Sequence, residues 1–474
     1  MNNGAPRVCL FLLLTVLVLI GIGELPPLSL AGYEVKRVDA LARILPPETP
    51  AGEEPLAEEE VPAGEGDAEP SPQDSLPGEQ PVYIDTVPPP PGMQPIEDYA
   101  DSVPMGMDPF YAALAAAGSL GRPVRIAFYG DSFVEGDILT ADLREALQQV
   151  YGGEGVGFVD VASPFIKYKS TVRHKATGWT DYSILERDKA NRERAGLSGR
   201  CALAEQAGAS VAYKGVGEYE GLGSWSVATA YVTAEDTVEV TALLNATDTV
   251  SLPLAAGGQV QALTWRGRMS QFMMLAPCAG FTAYGVALEG ERGIVVDNFS
   301  LRGCSGAALE GIPLQRLKQF ARLRPYDLIV LQFGLNVAER ERTDYTYYTA
   351  QMKRVIAHLH TAYPQAGILV MSVGDRADRF DGELQTMPGV KALVRQQQRL
   401  AEECGVAFWN AFEAMGGGGG ILGMAERGEA GTDYTHITRR GGKRVAGAFV
   451  QALQFGYEEY ERKKYALSSQ HDQE

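Results

Sequence analysis

Two textures of apolar residues alternate along this chain. The first is a short, continuous apolar run that stops at a glycine or a polar turn. Residues 124–129, 293–301, 326–333, 367–373 and 406–409 have this form, and it suits strands buried on both faces. Between these runs the apolar positions recur with a helical period. After Asp137, the residues Leu139, Leu143, Ala146, Leu147 and Val150 share one stripe, with Asp137 or Thr140 available as a cap. In 306–323, Leu309, Ile312, Leu317 and Phe320 face inward, and 345–363, 387–404 and a segment from Arg439 read the same way. Asp108 and Pro109 open a further short helix at 107–120. Strands alternating with helices predict a parallel sheet covered on both faces, a flavodoxin-like α/β domain.

The second texture interrupts the first. Residues 160–198 are polar and irregular. From 199 to 291 short runs alternate apolar with polar: 209–213, 225–232, 237–241, 249–252, 260–265 and 284–288, separated by Gly, Asn and Asp. That pattern predicts an antiparallel β-sandwich inserted into the α/β domain. The expected plan is therefore an α/β domain in two parts, 107–198 and 292–462, around an insert at 199–291, with a polar tail at 463–474.

The N-terminus is different again. Arg7 precedes an uncharged run of fifteen residues, 8–22, apolar apart from Thr15, a signal-peptide core or a short membrane anchor. Ser29-Leu30-Ala31 offers a small-residue cleavage site, so 1–31 is read as signal or anchor. Residues 32–106 are Pro- and Glu-rich and hold too little apolar surface to offset their ordering entropy, which predicts a disordered acidic linker. The expectation is an exported, periplasmic protein, tethered to the inner membrane through residues 8–24 unless the leader is cleaved.

The formal net charge is −18, but 44–121 holds sixteen Asp and Glu and no Lys or Arg. The rest is close to neutral, which lacks the basic footprint that nucleic-acid binding needs. Five scattered cysteines form no CxxC pair, so no zinc site, metal or cofactor is expected. Beyond Cys9 in the leader, Cys201, Cys278, Cys304 and Cys404 are expected as free buried thiols, with a Cys201–Cys278 bridge as the alternative in an oxidising compartment. The glycine cluster 152–157 lacks the Gly-Lys-Ser/Thr ending of a phosphate loop.

The candidate chemistry sits at strand ends. Gly130-Asp131-Ser132 follows the first strand, Gly303 the second and Gly334-Leu335-Asn336 the third, while Asp433-Tyr434-Thr435-His436 precedes the last helix. Acyl transfer by a serine needs a base, a group that holds the base in the right tautomer, and donors for the oxyanion. Ser132 can be the nucleophile, His436 the base and Asp433 its orienting partner. The backbone N–H groups of Ser132 and Gly303 with the Asn336 amide can form the oxyanion hole.

In these blocks the sequence resembles the SGNH, or GDSL-type, esterase and acylhydrolase superfamily. The likeness covers about 108–460 without the insert, and the second-block glycine maps onto Gly303, with Gly306 as the alternative. Three positions depart from the pattern: Phe133, Ser300, and Val337 in place of an acidic residue after Asn336. The longer stretch 130–137, with Leu143-Arg144, Leu147-Gln148 and 153–158, is similar to the periplasmic peptidoglycan O-acetylesterases, which carry a comparable insert. That resemblance implies removal of acetyl groups from an acetylated envelope polysaccharide, peptidoglycan above all, by a metal-independent Ser-His-Asp esterase. An O-acetyltransferase using the same residues is the alternative. A third reading is a glycan-binding protein with a vestigial triad, whose sandwich binds through Trp225 or Trp265; both also suit core packing. Lys167, Lys169, Arg173 and Lys175 read as a solvated basic loop that could touch an anionic glycan. His174, His358, His360 and His471 have no partner pattern.

Overall fold

The computed structural model describes residues 87–100 and 105–471, together with a short antiparallel pair, Ser29–Leu30 with Tyr33–Glu34. The apolar leader at 8–22 and most of the expected linker lie outside the described residues. No helix among the described residues is long and apolar enough to cross a membrane.

A six-stranded sheet organises the α/β part. Its order is Ile294–Ser300, Val124–Gly130, Leu328–Gln332, Gly367–Met371, Ala407–Trp409 and Ile96–Asp98. The first five are parallel. Counted along the chain, they stand in the order 2-1-3-4-5, the flavodoxin-like arrangement. Its switch point lies between Val124–Gly130 and Leu328–Gln332, where open sheets bind ligands. Their residues are buried almost throughout, which is why continuous apolar runs encode them. The sixth strand pairs antiparallel with Ala407–Trp409 and falls inside the stretch read as linker. Three residues, Ile-Glu-Asp, are too short a run to signal a strand. It is held by backbone pairing, by Trp409 Nε1 donating to the Gln94 carbonyl at 3.1 Å and by Gln398 donating to Glu97 at 2.7 Å.

Helices cover both faces. The segment 306–323 is broken: a 3₁₀ turn, Ala307–Gly311, precedes the α-helix Leu314–Leu323, because Pro313 cannot continue an α-helix. The helix Thr140–Tyr151 has no side-chain cap, contrary to expectation. Asp137 instead turns inward at φ 64° and is fully buried. A short helix, Gly420–Glu426, forms beyond the glycine run. The last helix, Arg439–His471, continues through 463, where a polar tail was expected. Just before that point Tyr457 and Tyr460 pack their rings against Tyr111.

The insert is a pair of antiparallel sheets. One contains Gly257–Met269, Trp225–Ala234, Thr282–Glu289, Arg200–Ala204 and Trp179–Ser183, with Gly155–Val159 also paired to Thr282–Glu289. The other orders Asp248–Leu254, Val238–Leu244, Gln271–Leu275, Ser210–Gly215 and Val172–Thr177. Three of these strands precede 199, where the sequence pattern starts the sandwich. Val172–Thr177 is an edge strand with Arg173 and Lys175 on its open face, so its polarity concealed it. Trp225, Trp265, Tyr213 and Phe272 fill the space between the sheets. Cys201, Cys278, Cys304 and Cys404 are free thiols.

A buried ionic network joins sandwich to α/β sheet. Arg324, fully buried, donates twice to Asp297 at 2.7 and 2.9 Å and to Glu289 at 2.7 Å. Arg125 donates to the other Glu289 oxygen at 2.7 Å, and Phe158 N–H donates to Asp297. Burial opposes ionisation of Glu289, but Arg125 and Arg324 outweigh it and hold its carboxyl down at about 2.

Candidate active site

The strand Val124–Gly130 delivers its last residues to the carboxyl edge of the sheet. A side chain at Gly130 would sit 2.5 Å from Val134 and 3.1 Å from the Gln332 carbonyl, so the chain can turn sharply there only as glycine. The turn is then fixed by Asp131, which is fully buried. One of its oxygens accepts from Phe133 N–H at 2.9 Å, the other from Gly334 and Leu335 N–H, both at 3.2 Å. One carboxylate thus ties the turn after the first strand to the loop after the third. Burial pushes this carboxyl up to about 6, against the three N–H donors and the nearby His436.

Below the turn, Asn298 donates to the Val134 carbonyl, Asp137 and Thr140 at 2.8–2.9 Å. Asp137 also accepts from Thr171 at 2.5 Å and faces Lys169 and Arg144 at 3.6 Å. Burial alone would raise its carboxyl; Lys169 and Arg144, helped by the Thr171 and Thr140 hydroxyls, hold it well below the usual carboxylate range. Lys169 is therefore not part of a solvated basic loop: its side chain is 9% exposed and serves a buried acid. The sequence shows it only as one cation among several, and its partner lies 32 positions earlier.

The structure brings three of the sequence candidates into one chain of contacts. Ser132 Oγ lies 3.2 Å from His436 Nε2, and His436 Nδ1 lies 2.7 Å from Asp433 Oδ2. The other Asp433 oxygen accepts from the backbone N–H groups of Thr435 and His436, both at 3.1 Å. Burial opposes the charged form of Asp433, but the His436 side chain and these N–H groups prevail and lower its pKa. Ser132 and His436 are 304 positions apart, and a tight loop holds the His436 end of the contact. Gly431 N–H donates to the His436 carbonyl at 2.8 Å, and Tyr434, at φ 49°, offers its carbonyl to Ala377 N–H. The helix that follows can approach the nucleophile turn because of Gly442, where a Cβ would lie 1.8 Å from the Ile138 carbonyl.

The oxyanion candidates lie on the neighbouring strand ends. Gly303 sits at φ 78° with nothing within 4 Å of the side-chain position, so its backbone borders open space. Among the described residues, neither Ser132 nor Gly303 N–H donates to a protein acceptor. Asn336 Nδ2 donates to the Cys304 carbonyl at 3.1 Å, which sets it against the Gly303 loop. This contact orients the amide without an acidic residue at 337. Gly306, the alternative to Gly303, packs against Phe333 and Met352 instead. The His436 and Asp433 side chains are 45% and 53% exposed, so water reaches the site.

Other singled-out residues lie elsewhere. Trp225 and Trp265 are buried in the sandwich core, which removes them as a glycan platform. His174 and His358 contact the Val161 and Ile312 carbonyls.

Comparison with known proteins supports the fold. Residues 264–444 match the GDSL-like lipase/acylhydrolase family. The match contains Gly303, Asn336, Asp433 and His436 but not Ser132, which the insert separates from them. A search of curated proteins found no match. Among solved structures, a peptidoglycan O-acetylesterase shares the fold at a TM-score of 0.63 and 22% identity, covering 77% of this chain and 99% of its own. A family two carbohydrate esterase from Cellvibrio japonicus aligns at 10% identity and a TM-score of 0.25, over 60% of this chain and 99% of its own. An acetyl xylan esterase variant from Geobacillus stearothermophilus aligns at 19% and 0.27, over 35% and 75%.

Proposed function

We propose that this chain, which carries a GDSL-like acylhydrolase domain, is a serine esterase that removes O-acetyl groups from a cell-envelope polysaccharide, with peptidoglycan as the substrate. The observation that carries the reading is the contact chain from Ser132 Oγ through His436 to Asp433. His436 Nε2 takes the Ser132 proton as Oγ attacks the acetyl carbonyl, and Asp433 keeps Nδ1 protonated and steadies the imidazolium that forms. The developing oxyanion is met by the N–H groups of Ser132 and Gly303 and by the second Asn336 amide hydrogen. His436 then returns the proton to the departing sugar hydroxyl. Water, admitted by the open side of the site, is activated by the same imidazole and releases acetate.

The substrate class is supported by the fold shared with a peptidoglycan O-acetylesterase. The test is mass spectrometry of O-acetylated muropeptides incubated with the full-length chain. Loss of acetyl groups with the wild type and none with Ser132→Ala is the expected result. Intact muropeptides alongside deacetylated xylan oligosaccharides would move the assignment to another glycan.

A further inference from the structure

A cavity of about 510 Å³ lies at the other end of the nucleophile strand, where the sandwich meets the α/β sheet. It falls within the roughly 300–1,000 Å³ of small-molecule sites, and the acyl chemistry does not use it. Arg125, the second residue of Val124–Gly130, lines it. At about 3.3 Å per residue it stands roughly 20 Å from Ser132. The α/β part also contributes Arg122, from the loop before that strand. The sandwich contributes one sheet face: Thr229 pairs in register with Thr264, and Val227 with Arg266 and Glu289. Alternate strand residues point to the same side, so these form a single wall. Arg292, exposed in the connection back to the α/β sheet, completes the lining.

Arg125 is its unusual feature. The residue is 8% exposed. Among the described residues its guanidinium makes one hydrogen bond, from Nη2 to Glu289, and Nε is buried without an acceptor. A buried donor left unmade costs about 1–3 kcal/mol, more when charged, so such groups usually have a role. Its one carboxylate is shared, since the other Glu289 oxygen serves Arg324. Arg122 is clamped by both Asp327 oxygens at 2.7 and 2.8 Å, and Arg266 pairs with Glu291 at 2.6 Å. Arg292 forms no ion pair among the described residues and reaches only the Gly118 carbonyl, at 3.5 Å. The vacant donors therefore belong to Arg125, on the buried side of the cavity, and Arg292, on its exposed side.

We infer that this cavity binds a phosphomonoester of a small hydroxylated molecule, a sugar phosphate in size and chemistry. Its phosphate oxygens accept from Arg125 and Arg292. Its hydroxyls meet Thr229 and Thr264, whose side chains bond only each other among the described residues, at 3.1 Å. A phosphomonoester carries about −1.5 to −2 charge at pH 7 and three acceptor oxygens that point in different directions, so it takes donors from two walls at once. A carboxylate offers two oxygens in one plane and suits a single guanidinium fork. The site lies away from Ser132 and does not depend on the esterase reading.

The test is calorimetric titration of the full-length chain with glucose 1-phosphate, inorganic phosphate and glucuronate. The wild type is expected to bind glucose 1-phosphate saturably and at least tenfold more tightly than the other two. Inorganic phosphate lacks the body that meets the threonines, and glucuronate lacks the third acceptor oxygen. Arg292→Ala should weaken binding at least tenfold; this residue is exposed and outside any ion pair, so the fold survives its loss. Arg125→Gln should weaken it at least as much, and Ala262→Phe, which fills the cavity from the sandwich wall, should abolish it. No saturable binding to the wild type, glucuronate or inorganic phosphate equalling glucose 1-phosphate, or an unchanged affinity in Arg292→Ala overturns the site.

Discussion

Replacing Asp131 with asparagine separates stability from catalysis. In the native turn, one Asp131 oxygen serves Phe133 and the other serves Gly334 and Leu335. Asparagine has a single carbonyl oxygen, so its NH₂ group must face either the Phe133 donor or the other pair. If the pair loses its acceptor, two hydrogen bonds to an ionised group go, each worth roughly 1.5–3 kcal/mol. Against that stands the cost of keeping this carboxylate charged while buried. Its pKa, raised to about 6 from 3.8, corresponds to about 3 kcal/mol at roughly 1.4 kcal/mol per unit. That shift is already net of the three N–H donors, so their loss is not added to it in full, and Asp131→Asn is expected to change stability by no more than ~3 kcal/mol at pH 8. The sign with pH follows from the raised value: the folded state holds this proton more tightly. The group's stabilising contribution is complete below pH 3.8 and disappears as pH rises through about 6. For the wild type it amounts to about 1.4 kcal/mol at pH 5 relative to pH 8; the variant lacks it. Activity should fall more than stability, because the freed loop carries Asn336. Misplacing one oxyanion donor costs roughly 3–4 kcal/mol of barrier, or 10²–10³ in kcat. Urea denaturation at pH 5 and 8, with aryl acetate turnover on the same samples, measures both. A variant with wild-type kcat and an unchanged difference between the two pH values would refute the anchoring role.

Three further changes have defined outcomes. Asn336→Ala should lower kcat on an aryl acetate by roughly 10²–10³ while the melting temperature holds, since among the described residues its side chain bonds only the Cys304 carbonyl. Arg324→Met leaves Asp297 without its buried cation and Glu289 with only Arg125; a loss of roughly 3–5 kcal/mol is expected from urea midpoints. Gly442→Val must push the last helix away from the Ile138 carbonyl, so thermal stability and kcat should fall together, because that helix follows directly on His436.

The parallel strands were legible because burial on both faces leaves a continuous apolar run that no other element produces at that length. The reading failed where an element's apolar face is narrow or its partner distant. Val172–Thr177 and Ile96–Asp98 lie at sheet edges, where backbone pairing suffices and side chains stay polar. Asp137 looked like a helix cap because its neighbours are helical; the cations that draw it inward, Arg144 and Lys169, are visible only in three dimensions. The spacing of Asp433 and His436 is local, so one loop could be expected to join them. The proximity of Ser132 is not local: it depends on the sheet order and on Gly442, neither of which a linear pattern states. Asp131 stood in plain view inside Gly-Asp-Ser, yet nothing in the sequence says that its carboxylate faces backward to the third strand's loop. The vacant donors of Arg125 give no sequence signal either.

The central claim is that the Ser132 hydroxyl carries the acyl group during turnover. Acid-quenching the full-length chain while it hydrolyses an aryl acetate, followed by peptide mass spectrometry, tests this directly. Acetylation of the peptide bearing Ser132, absent in Ser132→Ala together with turnover, is the predicted result. Turnover that persists in Ser132→Ala, with acetyl recovered on another residue or on none, would contradict the account.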